Sequence, residues 1–99
     1  MTTRDSILAT LKIHKAEFSK FGIASVGLFG SYIRNEQSAD SDIDLLIDFE
    51  SGKATFDNLM AFCNTVESIF KSEKVEVVTK NSLSPYIGPQ ILNEVVYAC

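Results

Sequence analysis

Ser41-Asp42-Ile43-Asp44-Leu45-Leu46-Ile47-Asp48-Phe49 sets three aspartates into a run of Ile, Leu and Phe. The density of aliphatic side chains predicts a strand. Strands ordinarily exclude Asp, and such a conflict between pattern and propensity marks a functional site. Asp42 and Asp44 stand two residues apart, so on a strand they share one face, about 6.7 Å apart along it, while Ile43 and Leu45 face the core. The pair has two readings: a solvated strand end, or two carboxylates that repel until a cation sits between them. Hard oxygen donors of this kind suit Mg²⁺ or Mn²⁺.

Upstream, Ile23-Ala24-Ser25-Val26-Gly27-Leu28-Phe29 is a short apolar strand that runs into Gly30-Ser31. A strand end followed by a helical turn offers backbone N–H groups to a phosphate. Gly30 permits close backbone approach, and Ser31 adds a hydroxyl. One helical turn is expected over residues 31–36, then a polar loop to Ser41. Arg34, three residues after Ser31, either reaches phosphate or pairs with Glu36 or Asp40. Further upstream, Ile7, Leu8, Leu11, His14, Phe18 and Phe21 recur in steps of three and four, which predicts one helix over residues 5–21 stopped by Gly22. His14, the one histidine, lies by that stripe as a partly buried structural residue and has no catalytic constellation around it.

Downstream, Thr55 is a plausible N-cap for a helix carrying Phe56, Leu59, Met60, Cys63, Val66 and Phe70 on its buried side. Residues 74–79 read as a third strand with Glu76 as its one acid. Ser84-Pro85 opens a short turn over 85–88. Pro89 cannot extend it, so a separate helix from Pro89 to about Val95 follows. The order is α-β-(short α)-β-α-β-α, an α/β (α+β) domain with a small sheet packed against helices.

Ninety-nine residues predict one domain, residues 1–99, with about two-thirds of the unfolded chain's surface buried. Nine Lys and Arg against thirteen Asp and Glu give a net charge of −4, the wrong sign for a nucleic-acid surface. No apolar run approaches the roughly 20 residues of a membrane span, and the N-terminal residues do not read as a signal peptide. Cys63 and Cys99 lack metal-ligand spacing and are expected to be a buried thiol and a free one in a reducing cytoplasm. Seven of the thirteen acids fall within residues 35–57, where Lys53 alone opposes them. Glu36, Glu50 and Asp57 read as solvated surface.

Gly30-Ser31, a ten-residue spacer, then Asp42-Ile43-Asp44 resembles the signature of the DNA polymerase beta-type nucleotidyltransferase superfamily. Leu28-Phe29-Gly30-Ser31-Tyr32-Ile33-Arg34 and Ser84-Pro85-Tyr86 are similar to its minimal nucleotidyltransferase (MNT) branch, and the likeness covers about residues 20–97. The resemblance implies a nucleotidyltransferase-like fold with a mixed sheet. It implies a mechanism in which two Mg²⁺ ions at a carboxylate cluster assist attack of an acceptor hydroxyl on the α-phosphate of ATP. By position, Gly30 and Ser31 would bind the nucleotide, with Arg34 one turn on as a further candidate, and Asp42, Asp44 and Glu76 would be the catalytic metal ligands. The family more often has Asp at the position of Glu76, which otherwise reads as an exposed strand acid. Asn35 stands where the family often has Gly.

MNT proteins often act as antitoxins beside HEPN-type toxins. The resemblance therefore implies transfer of AMP to a tyrosine of such a partner, a hetero-oligomer, a cytoplasmic location, and no nucleic-acid or membrane partner. Two other functions stay open: an antitoxin acting by contact alone, and a nucleotidyltransferase of an aminoglycoside-like small molecule.

Overall fold

A computed structural model describes residues 2–99. Its elements in chain order are α1 (Arg4–Ile13), α2 (Lys15–Lys20), β1 (Ile23–Phe29), β2 (Ile43–Phe49), α3 (Phe56–Ile69), β3 (Val75–Thr79), a 3-10 turn at Lys80–Ser82, α4 (Gly88–Glu94) and β4 (Val96–Tyr97). The sheet order is β3-β2-β1-β4. β1 runs antiparallel to both β2 and β4, whereas β2 and β3 are parallel, so the sheet is mixed, as expected.

The aliphatic density of β2 follows from burial on both faces. Ile43, Leu45 and Ile47 join Val26 and Leu28 of β1 against Ile7, Leu11, Phe18, Phe62 and Val66 of the helices. The Phe18 and Phe62 rings meet at 5.0 Å between centroids with a 59° tilt, a favoured aromatic arrangement. Leu46 points the other way and packs with Phe29 and Ile91, flanked by Val78, Leu83 and Val95. Asp44 alternates with Leu46 on this second face, so one period-2 pattern supplies both the core and the acid.

One local expectation is corrected and two are sharpened. The helix over residues 5–21 is broken at His14. There the ring Nδ1 donates to the Thr10 carbonyl at 2.9 Å, and the backbone N–H turns instead to the Leu11 carbonyl at 3.2 Å. The side chain takes the acceptor that the helical ladder would have used. Residues 31–35 make the single turn expected, with Ile33 and Arg34 N–H both donating to the Gly30 carbonyl at 3.1 and 3.2 Å, and it goes no further because Gly30 (φ +82°) and Asn35 (φ +56°) at its two ends both sit in the left-handed region. The last helix ends at Glu94, and Val96–Tyr97 adds a fourth strand beside Gly27 and Leu28. Gly27 makes that closure fit: a Cβ there would lie 2.5 Å from Val95 Cγ2.

Thr55 caps α3, its hydroxyl accepting from Asn58 N–H at 3.2 Å. Ser84 caps the turn before α4 through Ile87 N–H, also at 3.2 Å. Both cysteines are free and half-buried, so Cys63 is less enclosed than its place in the helical stripe suggested. Among the described residues, no helix is long and apolar enough to cross a membrane.

Candidate active site

β1, β2 and β3 lie side by side, and their register places the chemistry. Asp44 pairs with Phe29 on the antiparallel side and with Glu76 on the parallel side. Residues directly opposite on neighbouring strands project to the same face, so Asp44 and Glu76 stand together. Gly30, one residue beyond Phe29, passes so close that any Cβ there would overlap the Asp44 carboxylate. Its positive φ and this contact both require glycine.

Over this surface opens a cleft of about 320 Å³, lined by Gly30, Arg34, Asp44 and Glu76 together with an apolar wall of Phe29, Val78, Leu83, Ile87 and Ile91. That volume is in the usual range for a small-molecule site. The fold thus brings together four of the six residues singled out from the sequence. Asp42 does not line the cleft; it lies just before β2, half-buried. Ser31 is likewise outside it, half-buried in the turn, with its carbonyl accepting from Glu36 N–H at 2.8 Å.

The acids act on one another. Asp44 is pushed up from 3.8 to about 6, first by burial, then by the charges of Glu76 and Asp42 and a hydrogen bond to Glu76, with Arg34 pulling the other way. Near neutral pH Asp44 therefore retains its proton part of the time. Among the described residues, no three His, Cys, Asp or Glu side chains converge into a metal-ligand cluster. The donor chemistry nonetheless fits a hard divalent cation. Two carboxylates abut in register and a third follows along the chain, and a cation relieves the repulsion that raises Asp44.

Of the two readings of Arg34, the structure shows the acid pairing. Its guanidinium hydrogen-bonds Glu36, and it also faces the cleft, where Nη1 donates to Glu94 Oε1 and Oε2 at 3.1 and 2.9 Å. Asp40 is exposed and is not its partner. Glu94 is the residue that sequence reasoning missed. It lines the cleft and accepts the Gly30 N–H at 2.6 Å. No spacing signal announced it, because it reaches Arg34 across sixty residues of chain.

The family model of the nucleotidyltransferase domain matches residues 11–98. The chain belongs to the nucleotidyltransferase domain family. It is 38% identical over 100 residues to the protein adenylyltransferase MntA of Thermococcus cleftensis, a match covering 98% of this chain and 97% of that protein. A solved structure described as a minimal nucleotidyltransferase superposes with a TM-score of 0.80 at 27% identity, covering 96% of this chain and 95% of the other. A chain from a crystal structure of a toxin-antitoxin with AMP-PNP superposes with a TM-score of 0.67 over 91% of this chain and 72% of its own. At 19% identity that likeness is one of fold. In this nucleotidyltransferase domain, the Gly30 turn and the Asp44–Glu76 pair occupy adjoining walls of a single cleft.

Proposed function

We propose that this chain transfers AMP from ATP to a protein hydroxyl, a tyrosine of a HEPN-type toxin, and is the antitoxin of that toxin. The observation that carries the proposal is the cleft, in which the Asp44–Glu76 pair adjoins the Gly30 N–H and the Arg34 guanidinium. The relationship to a protein adenylyltransferase supports the acceptor class. The fold shared with a toxin-antitoxin chain solved with AMP-PNP supports the nucleotide and the partner.

The roles follow from donor chemistry. Gly30 N–H and Arg34 bind phosphate oxygens, since a guanidinium fork and a backbone N–H that already holds a carboxylate both favour oxyanions. Ser31 contributes its hydroxyl at the rim. The apolar wall from Phe29 to Ile91 takes the base. Asp42, Asp44 and Glu76 would hold Mg²⁺, with Mn²⁺ as a substitute. A cation held there would offset the triphosphate charge and supply electrostatic stabilisation to the transferred phosphoryl group. The acceptor oxygen bonds to the α-phosphorus, the bond to the pyrophosphate oxygen breaks, and the hydroxyl proton passes to the Asp44–Glu76 pair. The cleft opens to the surface between the Gly30 turn and α4, which leaves room for a partner to present the hydroxyl.

Incubating the partner with this chain, ATP and Mg²⁺, then measuring the partner's intact mass, tests the proposal. An AMP adduct that maps to a tyrosine is the expected result. Tight inhibition of the partner with no ATP and no adduct would replace it with neutralisation by contact alone.

A further inference from the structure

Glu94 is an acid in an unfavourable place. It is the last residue of α4, a helix with no basic residue in its final turn, and helix C-termini disfavour negative charge. It also shares the cleft with Asp44 and Glu76, which adds a like charge to an acid-lined surface. Yet its side chain is only 16% exposed, and both of its oxygens are engaged. Oε2 accepts the Gly30 N–H at 2.6 Å and an Arg34 Nη1–H at 2.9 Å, and Oε1 lies 3.1 Å from the same Nη1. These two donors, and not its own helix, hold the carboxylate where it is.

They are also the donors that suit a phosphate. Gly30 lies just past the end of β1, where its N–H points to Glu94 rather than to a neighbouring strand, and Arg34 projects from the following turn. A carboxylate and a phosphate present the same class of acceptor oxygen to such a seat.

We propose that Glu94 fills the phosphate seat of the nucleotide-free protein, so that triphosphate binding is an exchange of one anion for another. This rests on the cleft being the triphosphate site. Glu94 keeps Gly30 and Arg34 paired until a nucleotide arrives, and it sets a threshold on nucleotide affinity. A ligand displaces it when several phosphate oxygens and their cation replace what one carboxylate supplies. A polyphosphate meets that condition better than a monophosphate does, so Glu94 also discriminates against AMP.

Calorimetric titration with ATP and with inorganic tripolyphosphate, each with Mg²⁺ and each compared with AMP, tests the exchange in wild type, Glu94→Gln and Glu94→Ala. Gln keeps the shape and an acceptor for the Gly30 N–H but removes the charge. Removing one charged competitor is expected to tighten both ligands by about tenfold in Glu94→Ala, and by less in Glu94→Gln. The preference for tripolyphosphate over AMP should narrow in both variants. In wild type, the Gly30 amide resonance should shift on adding tripolyphosphate, as its acceptor changes. Equal or weaker binding by both variants would overturn the exchange and make Glu94 a positioning residue for Arg34. If neither ligand binds wild type or either variant, the triphosphate site itself fails, and the exchange with it.

Discussion

Replacing Asp44 by Asn removes a negative charge from a crowded place and leaves the shape unchanged. The Asp44 carboxyl is raised from 3.8 to about 6 by burial, Glu76 and Asp42. At about 1.4 kcal/mol per pH unit, that rise corresponds to about 3 kcal/mol of destabilisation when the group is ionised. Asp44 is only half-buried, and solvent screening reduces the figure to about 1–1.5 kcal/mol. The sign follows from proton uptake. Between pH 3.8 and about 6 the folded chain binds more protons than the unfolded chain, so this group makes stability fall as pH rises through that window. The penalty is absent below it and complete above it. In chelator-treated buffer at pH 7.5, Asp44→Asn should therefore raise the melting temperature by about 4–8 °C. The Asn amide can donate to Glu76 as protonated Asp44 does. The gain should shrink steadily toward pH 4, and the same variant should lose AMP transfer. Thermal melts across pH 4–8 measure it. A melting temperature that is unchanged or lower at pH 7.5, or a gain that does not depend on pH, would refute the crowding inferred at Asp44.

Gly30→Ala forces a side chain into a left-handed position and into the Asp44 carboxylate; it should cost about 1–3 kcal/mol of stability in denaturant titration and abolish transfer. Asn35, with φ at +56°, should accept Gly with little change, while Asn35→Val should lower stability by about 1–2 kcal/mol. Glu76→Gln should lower the transfer rate far more than it weakens ATP binding, and Glu76→Asp should retain substantial activity, as rates and affinities measured on both variants will show. Thr55→Ala removes the cap on α3 and should cost about 1 kcal/mol in a thermal melt.

The sequence makes β1, β2 and β3 plain because each is a short apolar run bounded by turn residues, and β2 announces the site by carrying Asp where strands avoid it. The capped start of α3 at Thr55 is legible for the same local reason. The break at His14 is not, since it depends on a ring nitrogen finding the Thr10 carbonyl, and apolar spacing is blind to that competition. Asn35 stands in place of a family glycine, and its positive φ supplies the physical reason: Asn is among the few residues that tolerate this region. β4 is two residues long, too short for any alternation to reveal. Gly30, Arg34, Asp44 and Glu76 could be picked out by motif and strand position. Glu94 could not, because only the folded sheet brings the end of α4 against the Gly30 turn.

The most direct measurement follows the phosphorus. The chain, its partner and Mg²⁺ are incubated with ATP labelled at either the α- or the γ-phosphate, and the protein-bound label is counted. Nucleotidyl transfer at this cleft predicts that the α-label, and not the γ-label, becomes attached to the partner. It also predicts that Asp44→Asn abolishes the attachment while the variant remains folded. Attachment of the γ-label, or α-labelling undiminished in Asp44→Asn, would contradict it.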